Sequence, residues 1–172
     1  MYGPSSSMKG ITLIELSVAL SILAILAAVM LPRIAQLQRS ARIGELRYLH
    51  GIVSTRVTLV NIAARLRQGA PDPAPCLGGA KADNQIRGAG TVCTEQGLIA
   101  TQHGYPAATP AQTFGLTAAE MPAERYRVRS EGGKTVFMRA DAKDPEACSF
   151  TYSQALDATT AAAISVPVTS GC

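Results

Sequence analysis

Apolar residues are concentrated near the start of the chain, in an almost uninterrupted run from Ile11 to Leu31 that contains one charge, Glu15. An α-helix rises about 1.5 Å per residue, so this run would be roughly 31 Å long, which is close to the thickness of a bilayer's hydrocarbon core. The pattern therefore predicts a membrane-length helix. The carboxylate of Glu15 is unexpected in such a helix, because a carboxylate at the bilayer centre costs about 2.5 to 3.5 kcal/mol on insertion scales.

Beyond Pro32 the apolar positions become periodic. They recur at steps of three and four residues: Leu46, Leu49, Val53, Val57, Val60 and Ala64. This spacing predicts a helix with one apolar stripe, and Gly69 followed by three closely spaced prolines predicts its end. We expect one helix from about Ile11 to Arg67, bent at Pro32, whose second half lays its stripe on a globular head.

The C-terminal third shows the alternation of β-strands. Arg125–Arg129 and Thr135–Arg139 alternate polar and apolar residues around a turn at Ser130–Lys134, which predicts a hairpin. Ser149–Ser153 predicts a third strand, and Val166–Val168 predicts an edge segment, where proline is tolerated. The expected fold is α+β, with a three- or four-stranded antiparallel sheet covering the helix stripe. Residues 69–111 lack periodicity and are rich in Gly, Pro and Ala, which predicts a long connecting loop.

The residues before the apolar run form a short polar leader that ends in Lys9 and Gly10. A secretory signal is cleaved after its apolar core, whereas the small residue here precedes the run. Cleavage after Gly10 would keep the run on the mature chain and create a free amine on Ile11. Thr12 would then be placed to cap the helix, and Glu15 would lie in the first turn, where the helix dipole favours an anion.

The segment Gly10–Leu16, GITLIEL, resembles the processing motif of type IV prepilins. The resemblance implies that a prepilin peptidase cuts after Gly10 and methylates Ile11, a position where the family more often has Phe. It implies that Glu15 neutralises the N-terminal amine of a neighbouring subunit during assembly. It also implies that Pro32 marks the bend of the anchor helix.

A looser resemblance covers patches of the remaining chain. Gly104-Tyr105-Pro106, and the stretch from Cys148 through Tyr152 to the C-terminal Ser-Gly-Cys, are similar to pilins of the mannose-sensitive haemagglutinin type. This implies a type IVa filament subunit that is used for surface attachment. The residues themselves favour a packed turn at Gly104–Pro106 over a sugar site.

The cysteines are even in number, which in an exported chain predicts disulfides in an oxidising compartment. They are Cys76, Cys93, Cys148 and Cys172. Four cysteines can pair in three ways. We favour the bonds Cys76–Cys93 and Cys148–Cys172, because each closes a loop-rich segment. Zinc is the alternative, but no C-x-x-C pair is present and His50 and His103 lack ligand spacing. We expect no cofactor and no metal.

The chain is mildly basic, and this charge alone does not identify a partner. The 172 residues carry 16 Lys and Arg and 12 Asp and Glu, a net charge of +4. Seven arginines lie between residues 33 and 67, and the pattern favours a solvated helix face with contacts to acidic groups of other subunits. Phosphate or nucleic-acid binding is the alternative, although Tyr48 is the one aromatic among them and gives no stacking platform.

The candidate enzymatic motifs in the sequence are incomplete. Gly132-Gly133-Lys134-Thr135 ends like a phosphate-binding loop but lacks its first glycine and falls in a predicted hairpin turn. Two scattered histidines suggest no catalytic triad. We therefore predict a protein that is not an enzyme.

These patterns predict four regions: a cleaved leader (1–10), an anchor and assembly helix (11–32), an amphipathic half-helix (33–68) and a pilin head (69–172). The predicted function is a structural subunit of a helical, homo-oligomeric type IV pilus that serves adhesion, with motility or DNA uptake as further uses. The predicted partners are prepilin peptidase and the pilus assembly machinery.

Counting positive charges would place the head in the cytoplasm. The prepilin resemblance and the cysteines instead predict a single-pass inner-membrane protein that later joins an extracellular pilus. Minor pilins, secretion pseudopilins and a non-polymerising membrane-tethered binding protein are the alternatives.

Overall fold

The structure is a computed structural model that describes residues 10–109 and 114–172. These residues form one helix, α1 (Leu13–Arg67), and the following strands: β1 (Ala89–Thr94), β2 (Gly97–Gln102), β3 (Tyr105–Pro106), β4 (Tyr126–Glu131), β5 (Lys134–Arg139), β6 (Ser149–Ser153) and β7 (Ala163–Ile164). The chain divides after Ser40 into an N-terminal unit and a C-terminal unit, residues 41–172.

The N-terminal unit contains the first part of α1, which starts two residues later than predicted and has Pro32 inside it. Proline removes one backbone hydrogen bond of a helix and is costly in a helix interior. The helix nevertheless continues beyond it as one element, so the predicted continuous helix is confirmed. The bend at Pro32 stays a prediction.

In the C-terminal unit, one side of α1 is buried. Its buried residues are those of the predicted stripe: Leu46, Leu49, Val53, Val57, Val60 and Ala64. The helix ends at Arg67, where Gln68 (φ 49°) and Gly69 (φ 78°) both adopt left-handed backbone geometry. Glycine takes this geometry without steric cost, which makes it a common helix terminator.

The first sheet corrects one prediction. Residues 69–111 were expected to form a loop, but β1, β2 and β3 lie in this region and form an antiparallel sheet in that order; residues 110 and 111 lie outside the described part. In β2, buried residues alternate with more exposed ones. Val92 and Ile99 of this sheet pack on Val60 and Ala64 of the last turns of α1. Because small residues fill much of both strands, the sequence carries little apolar signal there.

The second sheet has the strand order β4-β5-β6-β7, all antiparallel. Its predicted hairpin is confirmed, with Gly132 (φ 57°) and Gly133 (φ 75°) at the turn, the two positive φ angles that a two-residue type I′ turn requires. The third strand, Ser149–Ser153, is also confirmed. The edge segment predicted at 166–168 is reduced to a single antiparallel bridge between Val168 and Ser149, and the edge strand itself is Ala163–Ile164.

The main core lies between the buried stripe and the second sheet. Phe137 and Phe150 stack with ring centroids 4.9 Å apart, and Phe114 meets Tyr152 edge-on at 4.8 Å. Such aromatic pairs add about 0.5 to 1.5 kcal/mol beyond their buried area. One helix packed on small antiparallel sheets is the predicted α+β, pilin-like fold, which is thereby confirmed.

Candidate assembly site

The start of α1 is organised by Thr12. Its hydroxyl oxygen accepts the backbone N–H of Glu15 at 3.3 Å, and its carbonyl accepts the N–H of Leu16 at 3.0 Å. These bonds make Thr12 the N-cap, since a cap residue satisfies N–H groups that have no partner within the helix. Gly10 and Ile11 precede the cap and are exposed, so the peptide bond between them is accessible.

Glu15 lies in the first turn of the helix and is exposed. Within residues 10–109 and 114–172, no cation lies at ion-pair distance from its carboxylate. The helix N-terminus favours an anion here by about 0.3 to 1 kcal/mol. That is less than the cost of a lone carboxylate in hydrocarbon, so the helix dipole alone would not stabilise the Glu15 carboxylate in an apolar environment.

The surface of the following turns is apolar on all sides. The exposed fraction of its large side chains runs from 48% at Leu16 to 87% at Leu13. The hydroxyls of Ser17 and Ser21 donate to the carbonyls of Ile14 and Ser17, both at 2.8 Å, so these polar groups are satisfied by the helix itself. The segment is long and apolar enough to cross a membrane.

The sequence of this segment matches the model of a known family. The model for the prokaryotic N-terminal methylation motif matches residues 5–31. The chain carries the type IV pilin and prepilin signature. The match covers the second half of the polar leader, Gly10, Glu15 and the anchor up to Leu31. Comparison of the chain with curated proteins and with solved structures gave no significant match.

The prepilin signature supports a type IV pilin-like or pseudopilin protein, and it indicates a structural protein rather than an enzyme. It implies processing by prepilin peptidase and handling by the pilus assembly machinery. Together with the apolar helix it fits membrane anchoring before assembly.

Two disulfides close loops in the C-terminal unit. Cys76 is bonded to Cys93, and Cys148 is bonded to Cys172, across sequence separations of 17 and 24 residues. These are the local pairs that the sequence favours. Loops of this length give roughly 3 kcal/mol each through the unfolded chain, on a model-dependent account. Asp72 lies beside the first pair, but both sulfurs are in the disulfide and do not offer the thiolates that zinc requires.

An ionic cluster around the buried Arg139 joins the helix to the second sheet, and the sequence did not suggest it. The side chain of Arg139 is only 3% exposed; it donates to Asp141 from Nε at 2.9 Å and from Nη2 at 2.8 Å, and from Nη1 to Glu45. Burial alone would lower the pKa of the guanidinium, but hydrogen bonds to Asp141, Tyr126 and Glu45 outweigh burial and raise it. Burial acts to raise the pKa of Asp141, whereas the contact with Arg139 lowers it overall.

The cluster also reaches the C-terminus of the chain. Arg42 on α1 lies 3.5 Å from Asp141 and donates to the carbonyl of Cys172 at 3.1 Å. Arg125 pairs with Glu45 at 3.3 Å. The signal for this cluster was present in the alternation of β5, which places Arg139 on the buried face with Thr135 and Phe137. A buried arginine requires acidic partners.

The helix arginines are not a uniform solvated stripe. Arg56 pairs with Glu120 at 3.2 Å and donates to the Gln96 side chain at 2.8 Å. Arg67 pairs with Asp72 at 3.2 Å and donates to the fully buried Asn84 at 3.2 Å. At least these two arginines therefore have acidic partners within the chain, which correct the expectation of a uniformly solvated face. Contacts of the helix arginines with other subunits stay a prediction.

The turn at Gly104–Pro106 is packed, as the sequence favours. Gly104 has a φ of 77°, and its carbonyl accepts the Asn61 side-chain N–H at 3.0 Å. Tyr105 packs against the main core, and Pro106 is buried with its carbonyl accepting the Tyr152 hydroxyl. These contacts hold β3 between the helix and the second sheet.

Proposed function

We propose that this chain is a structural subunit of a type IV pilus, made as a prepilin and assembled through its N-terminal helix. The observation that carries the proposal is the first turn of α1: an exposed glycine before the cap, Thr12 as N-cap, and a carboxylate at Glu15 at the start of a membrane-length apolar helix. The methylation motif at residues 5–31 supports it.

Processing removes residues 1–10 and leaves Ile11 as the methylated N-terminus. The new ammonium group then lies one residue before the Thr12 cap. A buried ammonium and a buried carboxylate each carry a desolvation cost of several kcal/mol, which pairing offsets. In the proposal the ammonium of one subunit meets Glu15 of its neighbour.

Assembly transfers the anchor, residues 11–32, from the membrane into a bundle of anchors from other copies. Each subunit contacts the next through different surfaces, and such a contact produces a helical filament when its rotation does not close. Pro32 is the position at which the anchor bends. Residues 33–68 form the amphipathic half of the helix, and residues 69–172 complete the head on the outside of the filament.

The two disulfides support an oxidising destination for the C-terminal unit. We place the chain in the inner membrane before assembly and in the extracellular pilus afterwards. Surface adhesion is the proposed use, based on the similarity of Gly104–Pro106 and the C-terminal stretch to haemagglutinin-type pilins. Motility and DNA uptake are alternative uses of the same filament.

A minor pilin or a secretion pseudopilin is the second candidate, because the methylation motif supports a pilin-like or pseudopilin protein without separating the two. Such a subunit would carry the same processing and pairing groups and would differ in abundance. A membrane-tethered binding protein that never polymerises is the remaining alternative, and it would give Glu15 no role.

The deciding experiment measures the intact mass and the N-terminal sequence of the protein in sheared surface material. We expect a chain that starts at methylated Ile11, lacks four hydrogens because of its two disulfides, and is abundant in filaments. A correctly cut chain found only in traces or in membranes would favour the minor pilin or pseudopilin. An uncut chain that starts at Met1 would overturn the prepilin assignment.

A further inference from the structure

Strand β4 is an edge of the second sheet, because the strand order β4-β5-β6-β7 gives it one neighbour, β5. Just before the strand, the carbonyl oxygen of Arg125 accepts the N–H of Ala140 at 2.8 Å. The residues that bond a given neighbour alternate along an antiparallel strand. Every second residue from Arg125 onwards therefore turns its backbone polar groups to β5, whereas those of Val128 and Ser130 face away from the sheet.

The free edge of β4 runs from Val128 to Ser130. At the start of the strand, the Tyr126 N–H is already bonded to the Pro122 carbonyl at 3.1 Å. Among the residues that the structure describes, none bonds the outward N–H and C=O groups of Val128 and Ser130. The register with β5 is continuous from Tyr126 to Glu131. A regular edge with unpaired backbone groups is a template for another strand.

Two exposed arginines, Arg127 and Arg129, flank Val128 on the free edge. Alternate side chains of a strand lie on one face, so the two guanidinium groups share the outer face of the sheet. Arg125, by contrast, pairs with Glu45 at 3.3 Å. Within residues 10–109 and 114–172, no acidic side chain lies at ion-pair distance from Arg127 or Arg129. The residues directly opposite them on β5 are a methionine and a valine, so the edge carries positive charge that its neighbours do not neutralise.

We propose that the free edge of β4 binds an extended acidic segment of another protein by antiparallel strand addition. The incoming strand would exchange backbone hydrogen bonds with Val128 and Ser130. Arg127 and Arg129 would then occupy the positions without hydrogen bonds, where opposing side chains lie closest. Two acids would face these arginines, and the residue between the acids would lie beside Val128, which is 37% exposed. The recognised pattern is therefore acidic–apolar–acidic, with affinity from the backbone bonds and specificity from the side chains.

Charge argues against β4 of a second copy as the occupant. In antiparallel pairing about Val128, Arg127 of one copy would lie opposite Arg129 of the other, and like charges directly opposite each other are destabilising. Edge charges of this kind prevent identical strands from pairing, and they leave an acidic strand as the favoured partner. Nucleic acid would match the charge, but its backbone has no alternating N–H and C=O groups for Val128 and Ser130. Neither Glu15 nor the anchor takes part, so this binding goes beyond the proposed function.

The first test measures how a dye-labelled, capped peptide of about seven residues binds the full-length protein in detergent micelles, by fluorescence anisotropy. The peptide has a central valine between two glutamates, and threonine elsewhere. We expect saturable binding that weakens about two- to fivefold in Arg127→Gln and in Arg129→Gln. The matched control, Arg87→Gln, changes an exposed arginine outside the strands and should bind like the parent. Absence of saturable binding, or an equal loss in Arg87→Gln, would overturn the proposal.

Two altered peptides separate strand addition from general attraction to positive charge. The first has glutamine in place of both glutamates, and we expect it to bind more weakly because it has lost the charge that faces the arginines. The second carries a methyl group on the backbone nitrogen of the central valine, which keeps the charge but removes the N–H that donates to the Val128 carbonyl. We expect its binding to fall about tenfold. Parent-like binding of the glutamine peptide would rule out acidic recognition, and parent-like binding of the methylated peptide would rule out strand addition.

Amide hydrogen exchange, measured by NMR on the same full-length protein, locates the bound strand. The amides of Arg127 and Arg129 face β5 and should exchange slowly with or without the peptide. The amides of Val128 and Ser130 face outward, and we expect their exchange to slow at least about tenfold when the peptide is bound. Protection at other residues, with Val128 and Ser130 unchanged, would overturn the proposal. Filament assembly enters none of these measurements, so the proposal and the pilus assignment can fail independently.

Discussion

The two ends of α1 differ in how much of their apolar surface is buried. In the N-terminal unit the large apolar side chains remain largely exposed, and the helix satisfies its polar groups by itself, through the Thr12 cap and the serine hydroxyls. In the C-terminal unit a single stripe is buried by two sheets, and long-range contacts such as Glu45–Arg139 hold the helix in place. The first region leaves its large apolar side chains exposed, whereas the second buries one stripe of the helix within its own fold.

This contrast predicts separable defects. Changes in the first region should affect assembly and leave folding intact, while changes in the second should affect folding first. The exposed carboxylate at Glu15 and the disulfides of the C-terminal unit are the most direct places to test it.

Glu15→Leu should cause the largest effect on assembly. It removes the proposed partner of a neighbour's ammonium, and an unpaired charge in an apolar bundle costs several kcal/mol. We expect filament yield in sheared material to fall by about two orders of magnitude or more, with the amount of protein in membranes unchanged. Immunoblots of both fractions provide the measurement, and Glu124→Leu, at an exposed position of the C-terminal unit, is the control. Wild-type filament yield would remove Glu15 from the assembly mechanism.

Cys148→Ser should cause the largest effect on folding. It opens the bond to Cys172, and losing a loop closure of this kind costs roughly 3 kcal/mol. We expect a clearly lower melting temperature for the purified protein by circular dichroism, and reductant should lower that of the parent chain further by also opening Cys76–Cys93. If the parent melts at the same temperature with and without reductant, neither disulfide stabilises the fold.

The sequence predicts the elements whose signal is local and misses those that depend on long-range packing. The buried stripe of α1, the hairpin of β4 and β5 and the bounds of β6 follow from local periodicity, and the structure has them. The first sheet was missed because β1, Ala-Gly-Thr-Val-Cys-Thr, has few large apolar residues, and its packing on Val60 and Ala64 is a long-range property.

The ionic cluster was missed for a related reason. Arg139 and Asp141 are near in sequence, but Glu45 is 94 residues from Arg139, and no single-chain pattern links them. The motif at Gly10–Glu15 was accessible because all of its parts are local: a glycine, a cap, a carboxylate and an apolar run.

Gly171→Ala should have an intermediate effect that is confined to the C-terminal unit. A Cβ at this position would lie 2.5 Å from the Asp144 carbonyl oxygen and 2.7 Å from the Ala147 side chain. Crowding of this kind costs about 1 to 3 kcal/mol, so we expect the free energy of unfolding in urea to drop by that amount. Gly44→Ala is the matched control, since a Cβ there meets open space and should raise helix stability by about 0.5 to 1 kcal/mol. Equal stability of the two variants would contradict the packing around Gly171.

The smallest predicted effect is the pH dependence of the Arg139–Asp141 contact. The contact lowers the pKa of Asp141 in the folded chain below its value of about 3.9 in an unfolded chain. A carboxylate with a lowered folded pKa contributes stability that is complete above the unfolded pKa and is lost as the pH falls through the folded pKa. We therefore expect Asp141→Asn to be less stable than the parent at pH 7 by about 1 kcal/mol, because the carboxylate is partly exposed.

Below about pH 4 the difference between Asp141→Asn and the parent should shrink, as the parent's carboxylate becomes protonated and loses its charged contact with Arg139. Melting temperatures of both proteins from pH 7 to pH 2.5 would measure it. Ser153→Ala, which changes no titrating group, should keep a constant offset from the parent over that range and serves as the control. An Asp141→Asn offset that stays constant, or grows, in acid would mean that the side chain acts through packing rather than charge. The contact between Asp141 and Arg139 would then hold the second sheet to the helix by its shape rather than by its charge.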